Sequence, residues 1–126
     1  MVPKFATAIN CIDGRVQASV SSYIKKSYSV DHVDMVTIPG VVKVLAENRD
    51  SVTDLIKSHV QISVTAHQSN LVAVVGHHDC AGNPVCKDVQ LKDLSLAIKT
   101  VESWRFNVKI VGLWVDEKWK VCRIFG

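Results

Sequence analysis

The sequence predicts an α/β fold, a three-layer domain with a mainly parallel central sheet: four parallel strands plus an antiparallel edge strand from a C-terminal hairpin. Three observations carry that reading. Residues 71–75, Leu-Val-Ala-Val-Val, make an unbroken apolar run between Asn70 and Gly76, the pattern of a central strand covered on both faces. Short apolar segments alternate with stretches whose apolar residues recur every three or four positions. The resulting order, strand, helix, strand, helix, strand, helix, strand, is what right-handed crossovers between parallel strands produce.

Residues 5–10 are short and mainly apolar and lead straight into Cys11-Ile12-Asp13-Gly14-Arg15, a strand running into a loop. Val16, Val20 and Ile24 then recur every fourth residue among Ser, Gln and Lys, which predicts an amphipathic helix. Lys25 and Lys26 suit its C-terminal end, where the helix dipole favours cations. Residues 33–38 predict a second strand, stopped by Pro39-Gly40. Ser51, with Asp54 three residues on, marks a helix start, and Val52, Ile56, Val60 and Val64 supply its apolar stripe. After the strand at 71–75 comes Gly76-His77-His78-Asp79-Cys80-Ala81-Gly82; Leu91, Leu94, Ile98 and Val101 then line another helix, and residues 108–115 another strand. Asp116, Glu117 and Lys118 turn the chain back into 119–125, whose partial alternation predicts an antiparallel hairpin.

With 126 residues and no linker, repeat or low-complexity tract, the chain is expected to form one domain over residues 1–126. The net charge of +3 comes from basic residues interspersed with acidic ones, so no nucleic-acid surface is implied. The start, Met1-Val2-Pro3-Lys4, lacks the pattern of a secretory signal, and no apolar run approaches the roughly 20 residues that span a bilayer. The expectation is a cytoplasmic protein with no membrane partner. In a reducing compartment its four cysteines are read as buried thiols or metal ligands rather than disulfides.

In open α/β sheets ligands gather beyond the carboxyl ends of the strands, and Cys11 and His77 both fall at such ends. Thiolate and imidazole are the ligands zinc prefers, and three protein ligands leave a fourth position for water. The His77-x-x-Cys80 spacing turns two side chains of one loop toward one point, with Cys11 closing from the neighbouring strand. Asp13 either ligates the metal itself or accepts a hydrogen bond from the metal's water. The second holds if Arg15, whose planar fork matches a carboxylate, keeps it away.

Cys11-Ile12-Asp13-Gly14-Arg15 resembles the Cys-x-Asp-x-Arg motif of β-class carbonic anhydrases, and Gly76-His77-His78-Asp79-Cys80-Ala81-Gly82 resembles their Gly-His-x-x-Cys-Gly-Gly motif. The resemblance implies one zinc ion per chain held by Cys11, His77 and Cys80, with Asp13 and Arg15 as the catalytic dyad. It implies reversible hydration of carbon dioxide to bicarbonate by attack of zinc-bound hydroxide. Two thiolates donate more charge than imidazoles, so an alkaline preference is expected. A small apolar pocket beside the metal should suffice for an uncharged substrate, with His78 or His32 assisting proton transfer. A homodimer or higher homo-oligomer is expected, because a small sheet with an exposed edge finds a partner. Three features depart from the family: its N-terminal helices are expected to be absent, Thr37-Ile38-Pro39-Gly40-Val41-Val42 replaces an Asn-Ala-Gly-Asn type segment, and Ala81 stands at the first Gly after the last ligand.

Other readings are carried beside this one. The resemblance also leaves carbonyl sulfide or carbon disulfide open as substrate, since some relatives of that family hydrolyse them with the same metal site and the pocket wall is altered here. Asp13 could close a purely structural zinc site. A thiol enzyme using Cys11 or Cys80 is the third, but the chain has no Cys-x-x-Cys pair, and it has no glycine-rich nucleotide motif either. His78 is the alternative to His77 in the loop, Asp79 is read as a cap, and Cys86 and Cys122 as core or surface thiols. His59 and His67 are placed on the second helix, facing water or meeting a core hydrogen bond. Trp104, Trp114 and Trp119 are read as buried at a packing or dimer surface.

Overall fold

The computed structural model describes residues 2–126; Met1, on which the reading of the chain's start begins, lies outside them. The elements are β1 (Phe5–Asn10), α1 (Gly14–Tyr28), β2 (His32–Thr37), α2 (Val41–Glu47), α3 (Asp50–Ala66), β3 (Leu71–His77), α4 (Lys87–Glu102), β4 (Lys109–Val115) and β5 (Val121–Phe125). They build a five-stranded sheet in the order β2-β1-β3-β4-β5. The first four strands are parallel, and β5 pairs antiparallel with β4 at the edge. The α/β class and the antiparallel C-terminal edge strand are as the sequence predicts.

The apolar run of β3 is explained by its two covered faces. Leu71, Ala73 and Val75 pack with Val16, Val20 and Ile24 of α1, whereas Val72 and Val74 pack with Val41, Val42 and Leu45 of α2, Ile56 and Val60 of α3, and Leu94 and Ala97 of α4. One helix therefore covers one face and three cover the other. Alternate residues of β3 can all be apolar because neither face meets water.

From β1 the chain moves outward through α1 to β2, then crosses back over β1 to reach β3. The strand order reverses between β1 and β3, so a crevice opens beyond their carboxyl ends. Cys11 follows the last residue of β1, and His77 is the last residue of β3.

Several elements differ from the sequence reading. Helix α2 was not expected, since Pro39-Gly40 reads as a stop; it is only 7 residues long and is held by burial of Val41, Val42 and Leu45 rather than by any side-chain cap. The Thr100 hydroxyl donates to the Leu45 carbonyl at 2.8 Å, fastening α2 to α4. The buried stripe of α3 is Thr53, Ile56, Val60 and Ser63, with Val52 and Val64 half-buried at its flanks. Ser63 can turn inward because its hydroxyl meets Thr7 at 2.6 Å, Ser69 at 2.7 Å and Asp34 at 2.7 Å. Strand β2 begins at His32 and ends at Thr37, and β5 begins at Val121, which leaves Trp119 in the hairpin turn. Among the described residues no helix is long and apolar enough to cross a membrane.

Candidate metal centre

Cys11, His77 and Cys80 are brought together by the two strand ends. All three are buried, and their ligand-type atoms lie within 4.8 Å of one another; among the described residues they form the one such group of three or more. The two sulfurs are 3.9 Å apart, far beyond a disulfide, and both cysteines are free. Two sulfurs each about 2.3 Å from a shared ion at a tetrahedral angle would stand about 3.8 Å apart. The observed spacing fits that geometry.

The histidine decides how the group is used. His77 Nδ1 lies 2.7 Å from the His78 carbonyl oxygen, so it carries the proton and donates it. The lone pair is then on Nε2, which is buried with no hydrogen-bond partner among the described residues. A buried imidazole nitrogen left without a partner costs free energy, and a cation held with the two sulfurs relieves that cost. Fixing one ring nitrogen by a carbonyl so that the other can ligate is the usual arrangement at metal-bound histidines. The donor set thus fits a tetrahedral, sulfur-rich metal site with one position open.

Charge on the three groups is interdependent. The Cys80 thiol, hydrogen-bonding to Cys11, pulls the Cys11 thiol well below its ordinary range despite burial. Cys80 is in turn pushed up, first by that same hydrogen bond and then by burial. Burial works against the charged form of His77, but the neighbouring Cys11 sulfur and the hydrogen bond to the His78 carbonyl outweigh it and raise its pKa. The pair of thiols gives up one proton readily and holds the second, which a divalent cation in contact with both would displace.

The flanking loop is organised by Asp13. Its Oδ1 accepts from the Arg15 backbone N–H at 2.9 Å, capping α1. The Arg15 guanidinium grips the same carboxylate, with Nε donating to Oδ1 at 3.0 Å and Nη2 to Oδ2 at 2.7 Å. Hydrogen bonds from Arg15 hold Asp13 down to about 2, and Asp13 raises Arg15 in return. Gln17 ties the loop from below, donating to the carbonyls of Cys11 at 2.7 Å and Asp13 at 2.9 Å. Asp13 stands outside the three-residue ligand group.

Beside the site lie two spaces. One is an open cavity of about 530 Å³ lined by Arg15, His78, Asp79, Cys80, Lys87 and Trp114, among others. The other is a void of about 10 Å³ against Cys11, His77 and Cys80, walled by Val41, Val42 and Val75. This void is about the size of one water; it lies where the sequence reading expects a small apolar pocket, and its wall is the start of the unexpected helix α2.

Several contributors escaped sequence reasoning. Gln90 donates to the His77 carbonyl at 2.7 Å from inside α4; a glutamine in the buried stripe Gln90, Leu94, Ala97, Val101 was its available signal. Asp79 is not a helix cap: its carboxylate and carbonyl both accept from Arg15 at 3.2 Å. Asp79 also takes the loop's positive φ, 57°, so Ala81 is spared the conformation that would have demanded glycine. Cys86 and Cys122 are exposed and lie outside the ligand group. His32 sits at the amino end of β2 against Phe5, with ring centroids 4.9 Å apart, the length of the sheet away from the site. His59 is exposed, and His67 Nδ1 meets Asp34 Oδ2 at 2.6 Å. Of the three tryptophans only Trp114 is fully buried, at 2 % exposure.

Two glycines set how closely the loops approach. Gly40, with φ +58°, and Gly82 lie back to back, and a Cβ added to Gly40 would stand 2.5 Å from the Gly82 carbonyl carbon. Gly40→Ala is expected to lower stability by about 1–3 kcal/mol through left-handed strain and this clash, and to displace the Cys80 loop. Thermal unfolding and metal content of the variant check both effects.

A family model described as "Putative carbonic anhydrase" matches residues 1–125 of the chain. The chain belongs to that family. Solved β-carbonic anhydrases share its fold. A carbonic anhydrase from Glaciozyma antarctica superposes with a TM-score of 0.61 at 13% identity, covering 98% of this chain and 84% of that one. Tetrameric β-carbonic anhydrases of Sordaria macrospora give a TM-score of 0.55 at 11% identity, covering 98% and 81%. The β-carbonic anhydrase CafA of Aspergillus fumigatus gives 0.53 at 13% identity, covering 98% and 76%. No curated protein matches the sequence significantly. Within the carbonic anhydrase family, then, this chain places a buried Cys-His-Cys group able to hold a metal at the switch point of its sheet.

Proposed function

We propose that this carbonic anhydrase family member binds one zinc ion through Cys11 Sγ, His77 Nε2 and Cys80 Sγ and hydrates carbon dioxide reversibly to bicarbonate. The observation that carries the proposal is the unpartnered, buried His77 Nε2 facing two thiols at zinc-like separation. Bound there, zinc supplies Lewis-acid activation of water near neutral pH.

The remaining roles belong to the chain's own groups. Asp13, kept ionised by Arg15, offers a fixed hydrogen-bond acceptor beside the metal centre and orients the attacking water. With the guanidinium on both carboxylate oxygens, Asp13 would be held off a metal bound there, which would leave a fourth position for water. That grip argues against a closed structural site. Val41, Val42 and Val75 present apolar surface to a substrate with no charge to hold. His78, exposed on the rim of the larger cavity, is the group placed to pass a proton to buffer, a role His32 cannot fill from the far end of the sheet. We place the protein in the cytosol as a homodimer or larger homo-oligomer.

Oxygen-18 exchange between labelled carbon dioxide and water, followed by mass spectrometry on zinc-loaded protein, tests the proposal. Catalysed loss of label that strengthens between about pH 6.5 and about pH 9 is the expected result, since the pKa of zinc-activated water falls in this range. Exchange no faster than in buffer, with zinc fully bound, would refute it.

A further inference from the structure

We infer that Trp119 is a positioning residue: its indole face, presented by the tip of the β4–β5 hairpin, holds the Arg15 guanidinium in the orientation in which it grips Asp13. The clamp itself stands on geometry, and its effect on turnover rests on the function proposed above.

The Arg15 guanidinium carbon lies 4.4 Å from the centre of the Trp119 ring. A planar cation stacks well on an indole face and keeps its N–H edges free for other partners. Here those edges are used: one meets Asp13, and Asp79 accepts at 3.2 Å from Nη1 and Nη2. Half-exposed as it is, at 47% of its side chain, Arg15 has no packed core to restrain its tilt. The indole is the surface that does so.

Trp119 is in turn fixed by its turn. Its φ is +61°, a left-handed conformation uncommon for a bulky side chain and normally left to glycine or asparagine. Such outliers persist where the surroundings over-determine them, and they cluster at functional sites. Asp116 supplies the over-determination: its Oδ1 accepts from the backbone N–H groups of Lys118 and Lys120, each at 2.9 Å, and its carbonyl accepts from Trp119 N at 2.9 Å. The edge of His78 meets the ring at a centroid distance of 6.4 Å. Strand β4 runs beside β3 up to His77 and Val115, so the hairpin tip necessarily emerges next to the His77–Cys80 loop. A tryptophan standing where glycine would relieve strain, seated on the cation that holds Asp13, assigns the hairpin to the site.

The test uses zinc-loaded full-length protein with Trp119→Leu, which fills apolar volume without a π face, and Trp119→Tyr, which keeps one. Two readouts are taken: exchange of the Arg15 Nε–H with water by NMR, and kcat and KM for carbon dioxide hydration. In Trp119→Leu the Nε–H is expected to exchange several-fold faster, and kcat to fall about tenfold with KM little changed. Trp119→Tyr should restore both. Exchange and kcat both unchanged in Trp119→Leu would overturn the inference, as would failure of Trp119→Tyr to restore either. If Trp119→Leu does not fold, Asp116→Ala loosens the same turn with the indole retained, and the same two outcomes decide. A wild-type protein without turnover, but with Arg15 exchange that responds as described, would refute the proposed function and leave the clamp standing.

Discussion

Cys80→Ser is expected to release zinc, and Cys11→Ser to do the same. A serine hydroxyl is neutral at the pH of the assay and harder than the thiolate zinc prefers, and both positions are buried at 5 % exposure, so water cannot readily take the place of the missing sulfur. Loss of a group that merely supports a metal ligand costs 10- to 100-fold in affinity; loss of a ligand should exceed about 100-fold. Competition with a chromophoric chelator measures this directly. The same competition on Cys86→Ser and Cys122→Ser, which alter exposed thiols outside the ligand group, should show no change. Full zinc retention in Cys80→Ser would remove that residue from the ligand set.

Asp13→Asn is expected to keep its zinc and lose turnover by about 10²- to 10⁴-fold, the usual worth of a positioned proton-handling group. The substitution is close to isosteric, and asparagine caps a helix about as well as aspartate, so α1 should start where it does now. What changes is chemical: an acceptor-only carboxylate becomes an amide that can donate, and Arg15 loses the nearer of its two carboxylate partners, keeping Asp79. Steady-state hydration rates with metal content measured on the same sample separate the two effects. The charge on Asp13 also bears on pH. Its folded pKa, about 2, is below the ordinary aspartate value of about 3.9. Its stabilising contact with Arg15 is therefore complete above about pH 3.9 and is lost as the pH falls toward 2. Asp13 stays ionised throughout the assay range, so an alkaline rise in activity cannot be its own titration.

How much of this was legible in the sequence depends on how local each signal is. The run at 71–75 announces a doubly covered strand because alternate residues face two apolar layers, and Cys11, His77 and Cys80 stand at strand ends readable from the same pattern. Arg15 beside Asp13 is legible for the same reason: two residues apart, they need no distant contact to meet. Helix α2 was hidden because its start carries the stop signal Pro39-Gly40, and its stability comes from burial against α4 rather than from its own seven residues. The inner face of α3 differs from the sequence reading by part of a turn, since Ser63 looks like a surface residue until its hydroxyl is seen to donate to Asp34 and to pair with Thr7 and Ser69. The close approach of Gly40 to Gly82, the Asp79 bonds to Arg15 and the seat of Trp119 on Arg15 join segments about 40 to 100 residues apart. Spacing along the chain carries no record of such contacts.

The most direct test of the account is stopped-flow carbon dioxide hydration as zinc is titrated into metal-free protein at about pH 8.5, within the range where zinc-activated water is deprotonated. The rate is expected to rise in proportion to bound zinc and to stop rising at one ion per chain. A chain that takes up one zinc ion and hydrates carbon dioxide no faster than buffer would contradict it.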